Sequence, residues 1–554
     1  MAKYSIGIDF GTLSARAVIA DVSNGKIAGQ SLVFDYPHGV MTELFGKTLP
    51  DGYALQHPQD YIDALDFLIP SLISETRVSP EDVVGIAIDF TACTVFPLSS
   101  DGTPLCFYEK YKNEPCAYAK LWKHAGANKY AKKIEYAAKK HSDMLKLTGN
   151  MMSGEFMYPK LYETFVEAPH IYAEAARFVN AGDFLSSLMT GNYVHSVAYA
   201  TIKEHYDNSE GGGYPPREFF AEIDEGFVGV LDKIGRTVQS VGESCGNLTP
   251  EWAKRLGLTE RTAVAVPIID AHGPLGAMGI EDGMAVAALG TSAVMAVLSS
   301  KYIYVDGVLS IGCEATAKGL TTYEAGIRAM GDLYAWFINN CLPKEYTDKA
   351  EELGMNIHAY LRSLAEKKKI GETGLIALDW WNGNRSVITN DKLSGMILGM
   401  RLSTKPEDIY RAIIESTVFE LRKVYSNYVS QGIEIKSFVA AGGIAAKDPM
   451  LMQMLADVLN MDIDCLTVKE ATALGTSVWG AVAAGCYDTV QQASAKMKAP
   501  IDKTYHPIAE NVAEYEKLFE KYCVLYEYFA REIEIDSHEA DYFGLNKELL
   551  DDYK

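Results

Sequence analysis

One short pattern is written twice in this chain, and that repetition restricts the folds open to it. Tyr4-Ser5-Ile6-Gly7-Ile8-Asp9-Phe10 is a β-rich run that breaks at Gly11-Thr12-Leu13-Ser14 and resumes from Ala15 through Asp21. It reads as two strands around a tight turn. Met284 to Leu298 has the same form, with Gly290-Thr291-Ser292 standing where Gly11-Thr12 stood. The recurrence continues downstream. Tyr61, Leu65, Leu68, Ile69, Leu72 and Ile73 fall at helical spacing, and Val83 to Thr91 then reads as a buried strand opening into a polar loop. In the second half, Thr404-Lys405-Pro406-Glu407 has the form of a capping box for a helix running to about Val429; the strand Ser437 to Ala441 follows and opens into Gly442-Gly443. Each half therefore runs hairpin, helix, strand and loop. The expected fold is α/β, with two similar domains around a central cleft, the setting ligand sites favour.

The 554 residues are enough for such a pair. The expected domains are 1–260, with an insertion at about 101–207 capping the first half; 261–500; and a C-terminal segment 501–554, containing a tyrosine-rich helix from about Val512 to Ile533 and an acidic stretch to which no function is assigned. A formal charge of −22 repels nucleic acid and anionic lipid, so neither is expected as a partner. Any bound phosphate must be held locally, by glycine turns, backbone N–H groups or a metal ion. Nine cysteines with no paired spacing suit a reducing compartment, and neither a signal peptide nor a membrane-spanning run is evident. A cytoplasmic protein is the default expectation.

Four motifs bear on chemistry. Gly11 and Thr12 would let backbone N–H groups approach phosphate oxygens, with Asp9 at the strand end holding Mg²⁺; alternatively this is an ordinary turn that Asp9 caps. The matching Gly290, Thr291 and Ser292 make coincidence harder to sustain. Gly442 and Gly443 could bring backbone flush against an adenine or ribose, or could be a plain strand-to-helix turn. Asp270, at the end of an apolar strand and ahead of a small-residue helix start, is placed as a general base would be, and equally as a helix N-cap. His272 lacks partners at metal-binding spacing and reads as packing, as do Trp380-Trp381 and Tyr334-Ala335-Trp336-Phe337. Neither a G-x-x-x-x-G-K-[ST] loop nor a nucleophile elbow is present.

The two Gly-Thr hairpins, Asp270-Ala271-His272 and Ala441-Gly442-Gly443-Ile444 together resemble the FGGY carbohydrate kinases, of the actin/hexokinase/Hsp70 (ribonuclease H-like) type. The likeness is narrower to the ribulokinases within that family. It rests on Gly7 to Ser14, Ala54-Leu55-Gln56-His57-Pro58, Asp89-Phe90-Thr91-Ala92-Cys93-Thr94, Leu121-Trp122-Lys123-His124 and Ala377 to Arg385. The resemblance implies transfer of the γ-phosphate of Mg·ATP to a hydroxyl of a ketopentose, ribulose first, with xylulose, another ketose or glycerol as alternatives. An actin-like ATPase or a non-catalytic nucleotide-binding protein is the alternative of another class. It implies Asp270 as the base, Asp9 at the Mg²⁺ site and Gly11, Thr12, Gly290, Thr291 and Ser292 along the phosphates. Gly442 and Gly443 would back the adenosine, and Trp122, Lys203, Asp270 and Glu324 would bind the sugar. A homodimer is compatible with it. The chain departs from the ribulokinase pattern at Ser153-Gly154-Glu155-Phe156, Tyr199-Ala200-Thr201-Ile202-Lys203 and Gly326-Ile327-Arg328.

Overall fold

Both hairpins form, and each seeds a sheet. Phe10 pairs with Ala15 and Leu289 with Ala293 as the innermost rungs. The turns close through Gly11 N–H to the Ser14 carbonyl at 3.0 Å and Gly290 N–H to the Ser292 carbonyl at 2.9 Å. The computed structural model describes residues 2–530 apart from 142–143, 391, 467 and 469, and beyond 530 the short strands Ile533–Ile535 and His538–Ala540.

From edge to edge the first sheet runs Ser244–Asn247, Ala263–Ala265, Val83–Phe90, Tyr4–Phe10, Ser14–Asp21 and Ile27–Gln30, and Ile268–Ile269 also pairs with Val83–Phe90. The second runs Ser310–Ala317, Leu320–Ile327, Ala293–Ser299, Met284–Leu289, Ser437–Ala441, Ile463–Leu466 and Lys503–Tyr505. In both, a block of antiparallel strands, three in the first sheet and four in the second, adjoins two parallel strands that are reached through a crossover. The crossover helices are Pro58–Glu75 and Pro406–Ser430. The first buries Tyr61, Leu65, Leu68, Ile69 and Leu72, the stripe its spacing predicts. The second is capped one residue later than its sequence suggests, with the Lys405 N–H donating to Asp408 at 3.0 Å. No described helix is long and apolar enough to cross a membrane.

Three expected boundaries move. The strand Ala263–Ala265 belongs to the first sheet because it pairs in parallel with Val83–Phe90, so the first domain extends past residue 260 to about the helix Gly273–Met278. The capping region is wider than 101–207: its hydrophobic cluster draws on residues from Leu44 to Ile234, around a sheet of Arg177–Asn180, Val95–Leu98, Ala119–Lys120 and Leu55–Gln56. At the far end, Lys503–Tyr505 completes the second sheet, and the helix Ala509–Ala530 buries Tyr515, Leu518, Phe519, Tyr522 and Tyr526 in the second core. Of the acidic tail, residues 541–554 lie outside those described.

In each half a helix follows the last parallel strand that the two sheets share: Gly273–Met278 and Ala471–Ala483. These two pack on one another, and Ala471–Ala483, which comes from the second half of the chain, lies on the first sheet. The approach is backbone to backbone. A Cβ at Gly475 would lie 2.0 Å from the Gly273 carbonyl oxygen, one at Gly276 2.3 Å from that of Gly475, and one at Gly7 1.9 Å from that of Ala473. Close-packed backbone cannot yield as a side chain can, so these glycines are required by space. Gly475→Ala should cost about 3 kcal/mol and lower Tm by several degrees, whereas Gly229→Ala should leave Tm within a degree or so, because nothing lies within 4 Å of a Cβ there. Thermal melts of the two variants check this.

Candidate active site

Three carboxylates meet at the carboxyl ends of adjacent strands. Asp9 and Asp89 are register partners on neighbouring parallel strands, and Asp270 follows Ile269, the register partner of Phe90. The Asp270 N–H bonds the Phe90 carbonyl at 3.0 Å, which fixes its strand end. Asp9 is nearly buried and accepts from Arg16 Nε at 3.0 Å. Asp89 is fully buried; the Thr476 hydroxyl donates to its Oδ2, and its Oδ1 has no hydrogen-bond partner among the described residues. Burial first, then the charge of Asp9, pushes the Asp89 carboxyl well above the usual range. Asp270 Oδ1 accepts from the Ala271 N–H at 2.8 Å, and burial together with Asp9 lifts the Asp270 carboxyl to about 7. Like charges confined in a low-dielectric cleft cannot all ionise without a cation to offset them.

An orphaned, buried carboxylate oxygen beside a second carboxylate is a hard-oxygen donor set that suits Mg²⁺. Among the described residues, no three His, Cys, Asp or Glu groups are arranged to hold a metal ion by themselves. The site therefore fits an ion shared with phosphate oxygens, as Mg²⁺ bound with a nucleotide would be.

Two of the sugar-side candidates, Glu324 and Lys203, are tied to the Asp270 strand end. Glu324, on the strand Leu320–Ile327, receives a bond from Ser310 Oγ at 2.6 Å and is bonded to His272 Nε2 at 2.8 Å. Burial opposes its ionisation, yet His272, Ser310 and the charge of Lys203 hold it down at about 2. His272 is thus packing, as expected, but packing that joins the Asp270 loop to the second sheet. Lys203 ends the helix Val197–Lys203, which Ser196 caps by accepting from the Ala198 N–H at 3.2 Å. That helix is tied to the strand before Asp270 by Tyr199 OH to the Ile268 carbonyl at 2.9 Å and Ser196 Oγ to the Pro267 carbonyl at 2.6 Å. The Lys203 ammonium lies 4.7 Å from the Phe156 ring centre and 3.8 Å from Glu155. Trp122 is 38% exposed and donates from Nε1 to the Thr12 hydroxyl at 3.1 Å, so its indole touches the first Gly-Thr turn.

Gly11 and Thr12 form the hairpin turn of the first sheet, and the other nucleotide-side candidates lie at the matching strand ends of the second. Gly290 and Thr291 accept from the N–H groups of Gly331 at 3.0 Å and Met330 at 2.8 Å, where the helix Gly331–Cys341 begins. Gly442 has φ +105° and a Cβ there would meet the Leu289 carbonyl oxygen at 2.4 Å, so only glycine fits; Gly443 has nothing within 4 Å of a Cβ. One residue of the pair is thus demanded by the fold, and the other leaves room for a ligand.

Asp89 and Thr476 were not among the sequence candidates. The signal for Asp89 was there: Ile8-Asp9-Phe10 recurs as Ile88-Asp89-Phe90. Thr476 lies far along the chain inside an apolar helix, and nothing local marks it. The departures at 153–156 and 326–328 separate in space. Phe156 is buried beneath Lys203, and Gly154 leaves no room for a side chain because its Cβ would lie 2.2 Å from Asn128 Oδ1, whereas Ile327 is buried in the second core. Trp380, Tyr334 and Phe337 are core, while Trp336 and Trp381 form a less buried pair 5.4 Å apart.

Residues 4–275 match the N-terminal domain of the FGGY family of carbohydrate kinases, and residues 285–484 match its C-terminal domain. The chain is 40% identical over 539 residues to the ribulokinase of Halalkalibacterium halodurans, covering 96% of this chain and 95% of the relative. It is 40% identical over 537 residues to that of Mycolicibacterium smegmatis, covering 96% and 94%. Among solved structures, the xylulose kinase of Rhodospirillum rubrum shares the fold with a TM-score of 0.77 at 19% identity, over 95% of this chain and 99% of that one. With two family domains spanning the cleft, and relatives of this identity along nearly its whole length, the chain belongs to the FGGY family of carbohydrate kinases.

Proposed function

We propose that this chain is a cytoplasmic, ATP-dependent ribulokinase, with Asp270 as the base that activates the sugar hydroxyl. The observation that carries the reading is the convergence of Asp270, Glu324 and Lys203. The Asp270 carboxyl is raised by burial and by the charges of Asp9 and Glu324, and Glu324 in turn is held ionised with the help of Lys203. A cation that acts on a carboxylate, and a carboxylate that acts on a poised base, offer a polyhydroxylated ligand a donor, an acceptor and a proton sink. Near-full-length identity to ribulokinases supports ribulose as the sugar.

In this reading Trp122 walls the sugar, Lys203 and Glu324 orient its hydroxyls, and Asp270 Oδ2 takes the proton while Oδ1 stays on the Ala271 N–H. The turns Gly11–Thr12 and Gly290–Ser292, closed by the Gly11 and Gly290 N–H groups, present the N–H groups of Thr12, Thr291 and Ser292 to the phosphates, and Gly442 and Gly443 back the adenosine. Asp9 and Asp89 would hold Mg²⁺, which when bound would supply positive charge against the phosphates. Phosphoryl transfer has a loose transition state, so the contribution of these residues is positioning, electrostatic stabilisation and exclusion of water between the halves.

Asp270→Asn should lower kcat by about 10²- to 10⁴-fold while ATP affinity, read by calorimetry, stays within about twofold; near-normal turnover would remove Asp270 from the mechanism. Asp270 acts only when ionised, so kcat/KM should fall as pH drops through about 7 and level off above it; a flat profile contradicts the assignment. In an ADP-release assay over ribulose, xylulose, other ketoses and glycerol, ribulose should give the highest kcat/KM. A clear preference for another acceptor would overturn the sugar assignment, and sugar-independent ATP turnover would favour a plain ATPase.

A further inference from the structure

We propose that Lys160 is the positioning residue that fixes Trp122 relative to the Asp89 strand end, an inference that rests on the reading of Trp122 as the sugar wall. Lys160 lies on the helix Met157–Glu167, and its side chain is fully buried. Its ammonium donates to two backbone carbonyls from different parts of the chain: Cys93 at 2.6 Å and Leu121 at 2.9 Å. Cys93 belongs to the loop that leaves the strand carrying Asp89, and Leu121 immediately precedes Trp122. One side-chain atom thus joins the turn that presents the indole to the loop issuing from the carboxylate cluster.

The surroundings show that this turn is clamped. Lys160, Glu163 and Thr164 occupy one face of their helix at i, i+3 and i+4 and are all buried. Glu163 Oε2 is paired with Lys120 at 2.6 Å and with His124 at 2.8 Å, the residues two before and two after Trp122. Lys120 also donates to Thr164 at 2.7 Å, and the His124 ring receives the Ala54 N–H at 3.2 Å. Trp122 is therefore carried at the apex of a segment pinned on both sides, with Lys160 holding the carbonyl beside it. The other end of the cross-link is equally constrained. Cys93 sits at φ +59°, in the left-handed region that a non-glycine residue occupies only when held there. The loop is further braced by the Thr91–Thr94 hydroxyl pair at 2.7 Å.

Lys160 makes no contact that would put it on the reacting atoms, and its effect must pass through Trp122. Burial, assisted by the nearby Lys203 and Lys120 charges, lowers its ammonium to about 8, so the bonds to the two carbonyls are made by a group held in place at a desolvation cost. Without the ammonium, both carbonyls lose a buried donor and the Trp122 turn is free to shift against the Gly11–Thr12 turn that its indole touches.

The test is steady-state kinetics on the full chain with ribulose and Mg·ATP for Lys160→Met, Lys160→Gln, Trp122→Ala and the Lys160→Gln/Trp122→Ala double variant. Lys160→Met should raise the ribulose KM by about tenfold or more while the ATP KM stays within about twofold; Lys160→Gln, which keeps two N–H donors, should retain part of the affinity; and it should add nothing in the Trp122→Ala background. If Lys160→Met does not fold, the Lys160→Gln single and double variants carry the test. An unchanged ribulose KM, an equal rise in the ATP KM, or effects that add in the double variant would overturn the inference. If Trp122→Ala alone leaves the ribulose KM unchanged, it is the sugar-wall reading that fails. If Trp122→Ala raises it and Lys160→Gln then adds its full effect, only the role of Lys160 fails.

Discussion

Everything in this molecule hangs on the contact between the helix Ala471–Ala483 and the first sheet. That helix belongs by chain order to the second half, yet it lies on the strands of the first, with glycine at the points of closest approach. A Cβ at Gly85 would sit 2.1 Å from the Gly480 carbonyl oxygen, so the spacing between helix and sheet is set by main chain alone. Polar bonds secure it at intervals: Ser5 Oγ to the Ser477 carbonyl at 2.7 Å, and Trp479 Nε1 to the Thr316 carbonyl at 3.0 Å on the second sheet. Because the same helix supplies Thr476 to Asp89, the joint between the halves and the electrostatics of the site are one structure.

The strand ends above the seam concentrate negative charge where an ordinary protein would avoid it. Asp9 raises the cost of ionising both Asp89 and Asp270, and the Thr476 hydroxyl and the Ala271 N–H offset only part of it. Such a cluster is held by the sheets, whose registers fix the three positions independently of the carboxylates themselves. On the proposed mechanism, a cation held at Asp9 and Asp89 would offset the repulsion, and Asp270 would be the carboxylate free to take up a proton.

Much of this was written in the sequence. The repeated Gly-Thr hairpins gave two homologous sheets, because a tight turn between alternating apolar runs has few other uses, and the stripe from Tyr61 to Leu72 placed its crossover helix. The domain boundary was misplaced because Ala263–Ala265 looks the same whether it closes the first sheet or opens the second; only its pairing with Val83–Phe90 decides. The capping region was drawn too narrow because its cluster gathers residues from Leu44 to Ile234, contacts that no local window contains. Within the site, Asp270, Gly290 and Gly442 were legible as residues at strand ends. Trp122, Lys203 and Glu324 were legible only through the family resemblance, since an exposed indole, a helix-end lysine and a strand glutamate have no signature of their own. Thr476 and Lys160 were invisible for the reason that makes them matter: each acts on a partner hundreds of residues away or across the capping region, through a buried bond.

The central claim is that phosphoryl transfer takes place between the carboxylate strand ends of the first sheet and the glycine turns of the second. A crystal structure of the Asp270→Asn chain with ribulose and a non-hydrolysable Mg·ATP analogue tests it directly. The account places the sugar against Trp122, Lys203 and residue 270, the terminal phosphate between Gly11–Thr12 and Gly290–Ser292, and the cation beside Asp9 and Asp89. Sugar or nucleotide seated elsewhere, as in the cavity of about 390 Å³ lined by Met278, Met284, Ser437 and Lys498 on the opposite end of the strands, would contradict it.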